Sequence, residues 1–361
     1  MRALLNPSVR RDDEFRGLFS EDEYRHVSAF FAAHPDLSPT PLKSLPSIAD
    51  ALGVAAIDAK DETQRFGVNA FKITGVRYAV EQLDDESSGR GLVCATAGNH
   101  GRAVARVAAW KRIPCSVFVP AGKTTEPLEH ATRAARIDGM RADGATVVDV
   151  DGSYEEAVRR AAAFGAETES CVVSDTSWDG YTQIPRWIMT GYTHILEEVA
   201  SQWGAPPTLV IVQGGVGGLV CAAASWFASR FGGGRPSFIA VEPDEAACLL
   251  ASAQARHPVT ITSSLETIMS GLRCAEPSPL AWPTIAAGVD AFLTVPDSLV
   301  LEMMRTLAGA PGGERLEAGP SGACGMAGLA AIARAPELEG LRSAARLDRF
   351  TRALVIVTEG P

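Results

Sequence analysis

The stretch 208–220 reads Thr-Leu-Val-Ile-Val-Gln-Gly-Gly-Val-Gly-Gly-Leu-Val. Its first five residues are an apolar run rich in β-branched side chains, which is typical of a strand buried on both faces. The glycines that follow let the backbone approach a phosphate closely, and the start of the next, alanine-rich helix stabilises its charge. The segment therefore predicts a phosphate-binding turn, with a tight turn that binds nothing as the alternative.

Similar apolar runs recur between helical patterns, and this alternation predicts an α/β fold with parallel sheets buried on both faces. The other runs are Gly91-Leu-Val-Cys-Ala, Cys115-Ser-Val-Phe-Val, Ala145-Thr-Val-Val-Asp-Val, Cys171-Val-Val-Ser, Ser237-Phe-Ile-Ala-Val and Ala353-Leu-Val-Ile-Val. The helical patterns between them include 102–110, 126–138, 154–164 and a long one over 184–199. We expect a large domain made of 1–85 and 195–361, and a small α/β domain over 86–194.

Composition limits the class of partner. The chain has 361 residues and a formal net charge of −10, and this acidic balance disfavours nucleic-acid and anionic-membrane binding, which rest on basic patches. Seven cysteines without a C-x-x-C pair indicate neither a metal centre nor a disulfide framework. No secretory leader or membrane span is recognisable, so we expect a cytoplasmic protein that acts on a small molecule.

A lysine begins the helical pattern that follows Lys60-Asp-Glu-Thr-Gln-Arg-Phe-Gly-Val-Asn-Ala-Phe. This residue, Lys72, has the apolar neighbours Phe71 and Ile73. Apolar surroundings and a helix start disfavour the charged amine, as an imine-forming lysine requires. Most lysines in a first helical turn are simply solvated, so this region alone does not decide the chemistry.

A third region, Ala95-Thr-Ala-Gly-Asn-His-Gly, links a strand to a helix. Small residues at such a turn expose several N–H groups to an anion, and Asn99 adds a neutral side-chain donor. His100 is either a base or a structural histidine, and the structural role is favoured.

Together the three regions resemble pyridoxal-phosphate enzymes of the tryptophan-synthase-β, or type II, fold, and within it the diaminopropionate ammonia-lyase family. The stretches Asp175-Thr-Ser-Trp-Asp-Gly-Tyr-Thr-Gln-Ile-Pro-Arg-Trp and Thr267-Ile-Met-Ser-Gly-Leu are long and unusual enough to be specific to that family. The resemblance implies two parallel-sheet α/β domains with the cofactor cleft between them. It also implies pyridoxal 5'-phosphate as the cofactor and a homodimer.

The resemblance implies a role for individual residues. Lys72 would bind the cofactor covalently, Asn99 would face its phenolic oxygen and Thr358 its pyridine nitrogen. The cofactor phosphate would lie on Gly214, Gly215, Val216, Gly217 and Gly218. The substrate carboxylate would lie on Thr96, Ala97, Gly98 and Asn99, and Asp175 would act with Lys72 as the acid or base.

Three features depart from the family pattern. Ala97 stands where the family has an aspartate that serves the D-enantiomer of the substrate, and Pro320 replaces another carboxylate. The chain also ends at Pro361, soon after Thr358, where the family continues. Because Ala97 has no proton to exchange, we expect elimination from L-amino acids only.

The function predicted from the sequence is β-elimination from a small L-amino acid resembling 2,3-diaminopropionate, which gives a 2-keto acid and ammonia. The first alternative is β-replacement that makes a non-standard amino acid, and the second is a non-catalytic amino-acid or cofactor sensor. A nicotinamide-dependent oxidoreductase would rest on the glycine loop and Glu242 as its ribose-binding acid. The aromatic residues Trp178, Tyr181, Trp187 and Trp282 are expected in the core or at a domain interface.

Overall fold

The computed structural model describes residues 1–83, 89–121 and 127–361. They form two compact units, one made of 1–64 and 193–361 and the other of 65–192. The predicted domain boundary between residues 85 and 86 lies outside the described residues. Among the residues that are described, no helix is both long and apolar enough to cross a bilayer.

The first unit is built on a seven-stranded sheet in the order β1-β10-β9-β8-β11-β3-β2. Neighbouring strands from β10 to β3 run parallel, and the two edge strands, β1 and β2, are antiparallel to their neighbours. The strands are β1 (Ala3–Leu5), β2 (Leu42–Ser44), β3 (Ala56–Asp61), β8 (Leu209–Gln213), β9 (Ser237–Pro243), β10 (Ala291–Val295) and β11 (Arg352–Val357).

Helices complete the first unit: α1 (Glu21–Ala32), α2 (Pro46–Leu52), α8 (Gly218–Phe231), α9 (Cys248–Ala255), α10 (Trp282–Gly288), α11 (Asp297–Ala308), α12 (Pro320–Arg334) and α13 (Glu339–Ala344). Helix α12 is buried over most of its length. It approaches the sheet closely at Gly328, where an added Cβ would lie 2.5 Å from Cγ2 of Val241. The main apolar core of this unit includes side chains of α12 and of β8, β9 and β11.

The second unit contains a four-stranded parallel sheet in the order β6-β5-β4-β7. Its strands are β4 (Leu92–Ala95), β5 (Cys115–Pro120), β6 (Thr146–Val150) and β7 (Cys171–Val172), and its helices are α3 (Lys72–Glu81), α4 (Asn99–Lys111), α5 (Pro127–Ala142) and α6 (Tyr154–Thr168). Helix α7 (Gln183–Gln202) has residues in both units. Val93, Phe118, Val150, Ala157 and Ala161 form a small core between β4–β6 and α6.

The predicted fold class is confirmed, since every predicted apolar run coincides with a strand. The helical pattern over 126–138 corresponds to α5, except that residue 126 lies outside the described residues. Strands β1, β2, β3 and β10 were not predicted from the pattern. The second predicted domain boundary, between 194 and 195, falls inside α7, so the domain division stays a prediction.

Candidate active site

In the first unit, two predicted features meet at the carboxyl ends of neighbouring parallel strands. Strand β8 ends in the glycine loop, and its neighbour β11 leads directly into Thr358. Gln213, the last residue of β8, donates a hydrogen bond from Nε2 to Oγ1 of Thr358 over 2.8 Å. Both side chains are 3% exposed. The parallel pairing of β8 and β11 is therefore what brings the glycine loop and Thr358 together.

The glycine loop has the geometry of an anion site. Gly217 has a φ of +93°, which only glycine adopts without strain, and it precedes the first residue of α8. A Cβ added at Gly217 would lie 2.3 Å from Cδ1 of Ile285, and one at Gly215 would lie 3.1 Å from Sγ of Cys274. No described side chain caps the start of α8. Its first N–H groups and its dipole are therefore available to a negatively charged group.

In the second unit, Lys72 and Asp175 form an ion pair. Lys72 is the first residue of α3, and Asp175 follows β7. The Lys72 ammonium nitrogen lies 5.1 Å from the ring centroid of Phe71 and 5.9 Å from that of Tyr192. The lysine thus has a carboxylate partner on one side and aromatic faces on the other.

The environment of Asp175 favours its ionised form. Burial opposes ionisation, but the charges of Lys72 and His100 and the hydrogen bond from Lys72 outweigh it, so the pKa of Asp175 lies well below its usual range. Nε2 of His100 lies 2.9 Å from the carbonyl oxygen of Val173, and its Nδ1 lies 3.9 Å from Oδ2 of Asp175. In this structure the pair is therefore an ammonium group and a carboxylate.

The turn after β4 is the second potential anion site. Its backbone is fixed by a 2.9 Å hydrogen bond from the Gly98 amide to Oγ1 of Thr96. Gly98 is the N-cap of α4 and offers no side chain to cap the helix. Asn99 is the first residue of α4, and Ala97 brings no carboxylate to the turn. The N–H groups at this helix start suit a carboxylate ligand.

Comparisons with known proteins agree with this arrangement. The family model described as pyridoxal-phosphate dependent enzyme matches residues 34–345. The chain belongs to the pyridoxal-phosphate-dependent enzyme family. It is 33% identical to diaminopropionate ammonia-lyase of Escherichia coli strain K12, over 95% of this chain and 89% of the relative. The corresponding Salmonella typhimurium enzyme is 32% identical over 92% of this chain and 88% of the relative.

Solved structures of related proteins confirm the fold. Diaminopropionate ammonia-lyase from Escherichia coli, in complex with an aminoacrylate-PLP azomethine reaction intermediate, has a TM-score of 0.88 and 32% identity, with coverage of 99% of this chain and 93% of the other. Threonine deaminase isoform 2 from Solanum lycopersicum has a TM-score of 0.79 at 21% identity, with coverage of 100% and 88%, which bears on the fold alone. The predicted resemblance, the type II fold and pyridoxal phosphate as cofactor are confirmed.

The residues of this pyridoxal-phosphate-dependent enzyme fit the cofactor. The glycine loop combines an uncapped helix start with a backbone that leaves no room for side chains, which suits a phosphate. Thr358 offers a neutral hydroxyl rather than a carboxylate, and Lys72 offers a primary amine in aromatic surroundings. Taken one by one, the loop matches the phosphate of pyridoxal phosphate, the hydroxyl matches its ring nitrogen, and the amine matches its aldehyde.

The structure argues against the oxidoreductase alternative, which needed Glu242 as a ribose-binding acid. Glu242 is fully buried and accepts hydrogen bonds from the amides of Leu249 at 2.7 Å and Leu250 at 2.8 Å. Burial raises the pKa of Glu242 to about 8, although those two hydrogen bonds oppose the shift. The carboxyl group therefore stabilises the start of α9 and has no free oxygen to offer a ribose.

The expectation for the aromatic residues was wrong in one case. Trp282 is buried, but Trp178 is 38% exposed and stacks on Tyr181 instead of entering the core. The dipeptide Asp179-Gly180 forms a tight turn, and this turn keeps Trp178 at the surface. Sequence analysis also missed Gln213, whose only sequence signal is a polar residue that ends an apolar strand.

Proposed function

We propose that this enzyme eliminates ammonia from L-2,3-diaminopropionate and releases pyruvate and a second ammonia. The observation that carries the proposal is the ion pair between Lys72 and Asp175, in which the ammonium group donates a hydrogen bond to the carboxylate. The names of the Escherichia coli and Salmonella typhimurium relatives support the choice of substrate. The balance is one diaminopropionate and one water consumed for one pyruvate and two ammonia.

We assign the cofactor contacts that the resemblance implies. Lys72 would bind pyridoxal phosphate covalently, Thr358 would face its ring nitrogen and Asn99 its phenolic oxygen. Gly214–Gly218 would hold the phosphate through the amides of the loop and of the start of α8. The geometry of the loop and its uncapped helix support this assignment.

Bound pyridoxal phosphate supplies an electron sink that acidifies the hydrogen on the substrate Cα. The turn over Thr96–Asn99 binds the substrate carboxylate through its amides and so orients the Cα–H bond. Lys72, as the neutral amine, removes the Cα proton, and the Cα–H electron pair forms the new double bond as the Cβ–N bond breaks. Asp175, carrying a proton on its carboxyl oxygen, delivers it to the departing amine.

Proton exchange between Lys72 and Asp175 prepares both groups. The low pKa of Asp175 depends on the positive charge of Lys72. When the lysine nitrogen is uncharged, this support is lost and the pKa of Asp175 rises, because burial alone favours the protonated acid. We therefore propose that Asp175 takes up a proton once the Lys72 nitrogen is uncharged.

The experiment that tests this function measures products from L-2,3-diaminopropionate with the holoenzyme. We expect pyruvate and ammonia in a ratio of one to two, with no change when a thiol or an amine is added. The accumulation of a new amino acid with the added nucleophile would instead indicate β-replacement. The absence of turnover with any β-substituted alanine, in a cofactor-loaded protein, would favour a sensor.

We also propose a cytoplasmic homodimer. The support is the resemblance to the family, which implies a homodimer, and the net charge of −10, which disfavours binding to anionic membranes. Sedimentation equilibrium of the holoenzyme at micromolar concentration gives the mass directly, and a monomer mass would contradict the proposal.

A further inference from the structure

A tight turn follows the segment that carries Asp175. Trp178 and Tyr181 exchange two backbone hydrogen bonds, with N–O distances of 3.2 and 2.9 Å, across Asp179-Gly180. Gly180 has a φ of +77°, a conformation that glycine adopts at little cost. The turn reverses the chain, so Tyr181 points back toward the end of β7.

The aromatic ring of Tyr181 is held on one face by Trp178. Their ring centroids lie 4.0 Å apart with an interplanar angle of 11°. Two stacked rings at the ends of a tight turn have few alternative rotamers. The stack therefore fixes the direction in which the phenol oxygen points.

The phenol oxygen of Tyr181 makes two hydrogen bonds to the backbone just before Asp175. It lies 2.7 Å from the carbonyl oxygen of Val172 and 2.9 Å from the amide nitrogen of Ser174. A carbonyl can only accept, so the phenol donates its single proton to Val172 and accepts from Ser174. Burial raises the pKa of Tyr181, so the phenol stays protonated and serves both bonds at once.

Val173, between those two residues, is held by other groups. Its amide donates to the carbonyl oxygen of Val93 over 2.8 Å, and its own carbonyl oxygen lies 2.9 Å from Nε2 of His100. The backbone of each of the three residues before Asp175 thus has a hydrogen-bond partner. Tyr181 supplies the partner for two of them.

We propose that Tyr181 is a positioning residue for Asp175. It touches neither Lys72 nor the reacting atoms through its hydroxyl, and it acts by fixing the backbone from which the Asp175 carboxyl group reaches Lys72. This inference rests on the proposed role of Asp175 as an acid and base. A carboxyl group displaced by about 1 Å loses about 100-fold in rate, so the hydroxyl matters for turnover more than for substrate binding.

The test is a double-mutant cycle with Tyr181→Phe and Asp175→Asn. Tyr181→Phe keeps the stacked ring and removes both hydrogen bonds, and we expect kcat on L-2,3-diaminopropionate to fall about 10- to 100-fold with KM within about twofold. In the Asp175→Asn background the same change should reduce kcat no further. The matched control is Tyr24→Phe, because the buried hydroxyl of Tyr24 has no hydrogen-bond partner in the described structure, and its kcat should equal that of the wild type.

Each outcome separates the inference from the function on which it rests. Full activity of Asp175→Asn would remove the proposed role of Asp175, and the inference with it. Loss in Asp175→Asn but none in Tyr181→Phe would overturn the inference alone, as would independent, multiplicative losses. If Tyr181→Phe does not fold, hydrogen exchange of the Ser174 amide in the wild-type enzyme tests the inference instead. Fast, unprotected exchange would show that the hydrogen bond from Ser174 to Tyr181 does not form.

Discussion

The side-chain nitrogen of Gln213 lies 2.8 Å from Oγ1 of Thr358 and also 3.0 Å and 2.9 Å from the carbonyl oxygens of Ser321 and Ile356. Because carbonyl oxygens only accept, this atom is the amide nitrogen, and it donates to the Thr358 hydroxyl. The Thr358 hydroxyl accepts this bond, so it can donate its own proton to a different acceptor, such as the pyridine nitrogen of the cofactor. A hydroxyl that donates to a pyridine nitrogen leaves that nitrogen unprotonated.

The first prediction concerns Thr358→Asp. A carboxylate at this position would protonate the ring nitrogen and strengthen the electron sink, so racemisation and transamination should rise relative to elimination. Product ratios from L-2,3-diaminopropionate measure the change, and Thr358→Ser, which keeps the hydroxyl, is the control. An unchanged ratio in a folded, cofactor-loaded Thr358→Asp enzyme would rule out the contact with the ring nitrogen.

The second prediction concerns the enantiomer of the substrate. Alanine at position 97 has no proton to exchange, so the wild-type enzyme should act on L-2,3-diaminopropionate and not on the D-form. Ala97→Asp should gain activity on the D-form, because it places an acid on the turn after β4. Initial rates on each enantiomer decide the matter, and comparable wild-type rates on both would contradict it.

The third prediction identifies the reactive lysine. Borohydride reduction of the holoenzyme should fix the cofactor on Lys72, and peptide mapping should recover it there. Lys72→Ala should fold, as judged by circular dichroism, but should show no turnover. Label on any other lysine would show that Lys72 has been assigned the wrong role.

The fourth prediction concerns stability and pH. The pKa of Glu242 rises from 4.5 to about 8 in the folded protein because the group is buried. The folded protein thus holds this proton more tightly than the unfolded chain does, so the contribution of Glu242 is complete below about pH 4.5 and is lost as the pH rises through about 8. The free energy of unfolding, relative to that of Glu242→Gln, should fall across this range. A difference that stays constant from pH 5 to 9 would argue against a raised pKa.

Local pattern was enough to predict most of the sheets, because the strands β4–β9 and β11 are short β-branched runs. It was not enough for the active site. Lys72 and Asp175 are 103 positions apart, and their pairing depends on the tertiary fold of the second unit, which no local pattern contains. Their roles came from the family resemblance.

Tyr181 shows a different limit of sequence reasoning. An aromatic residue between polar ones is expected to fill a core or an interface. Its actual contacts follow from the turn at Asp179-Gly180, which returns the ring to Trp178 and the hydroxyl to the end of β7. The Asp179-Gly180 pattern predicts that the chain reverses direction, but it does not predict which atoms the reversal brings into contact.

The central claim is that Asp175, paired with Lys72, carries a proton in β-elimination. The most direct test is the initial rate of pyruvate release from L-2,3-diaminopropionate by cofactor-loaded Asp175→Asn beside the wild type. The amide keeps the shape of the side chain but cannot exchange the proton, so we predict a loss of about 10²- to 10⁴-fold. A rate equal to that of the wild type, in a folded and cofactor-loaded variant, would contradict the account.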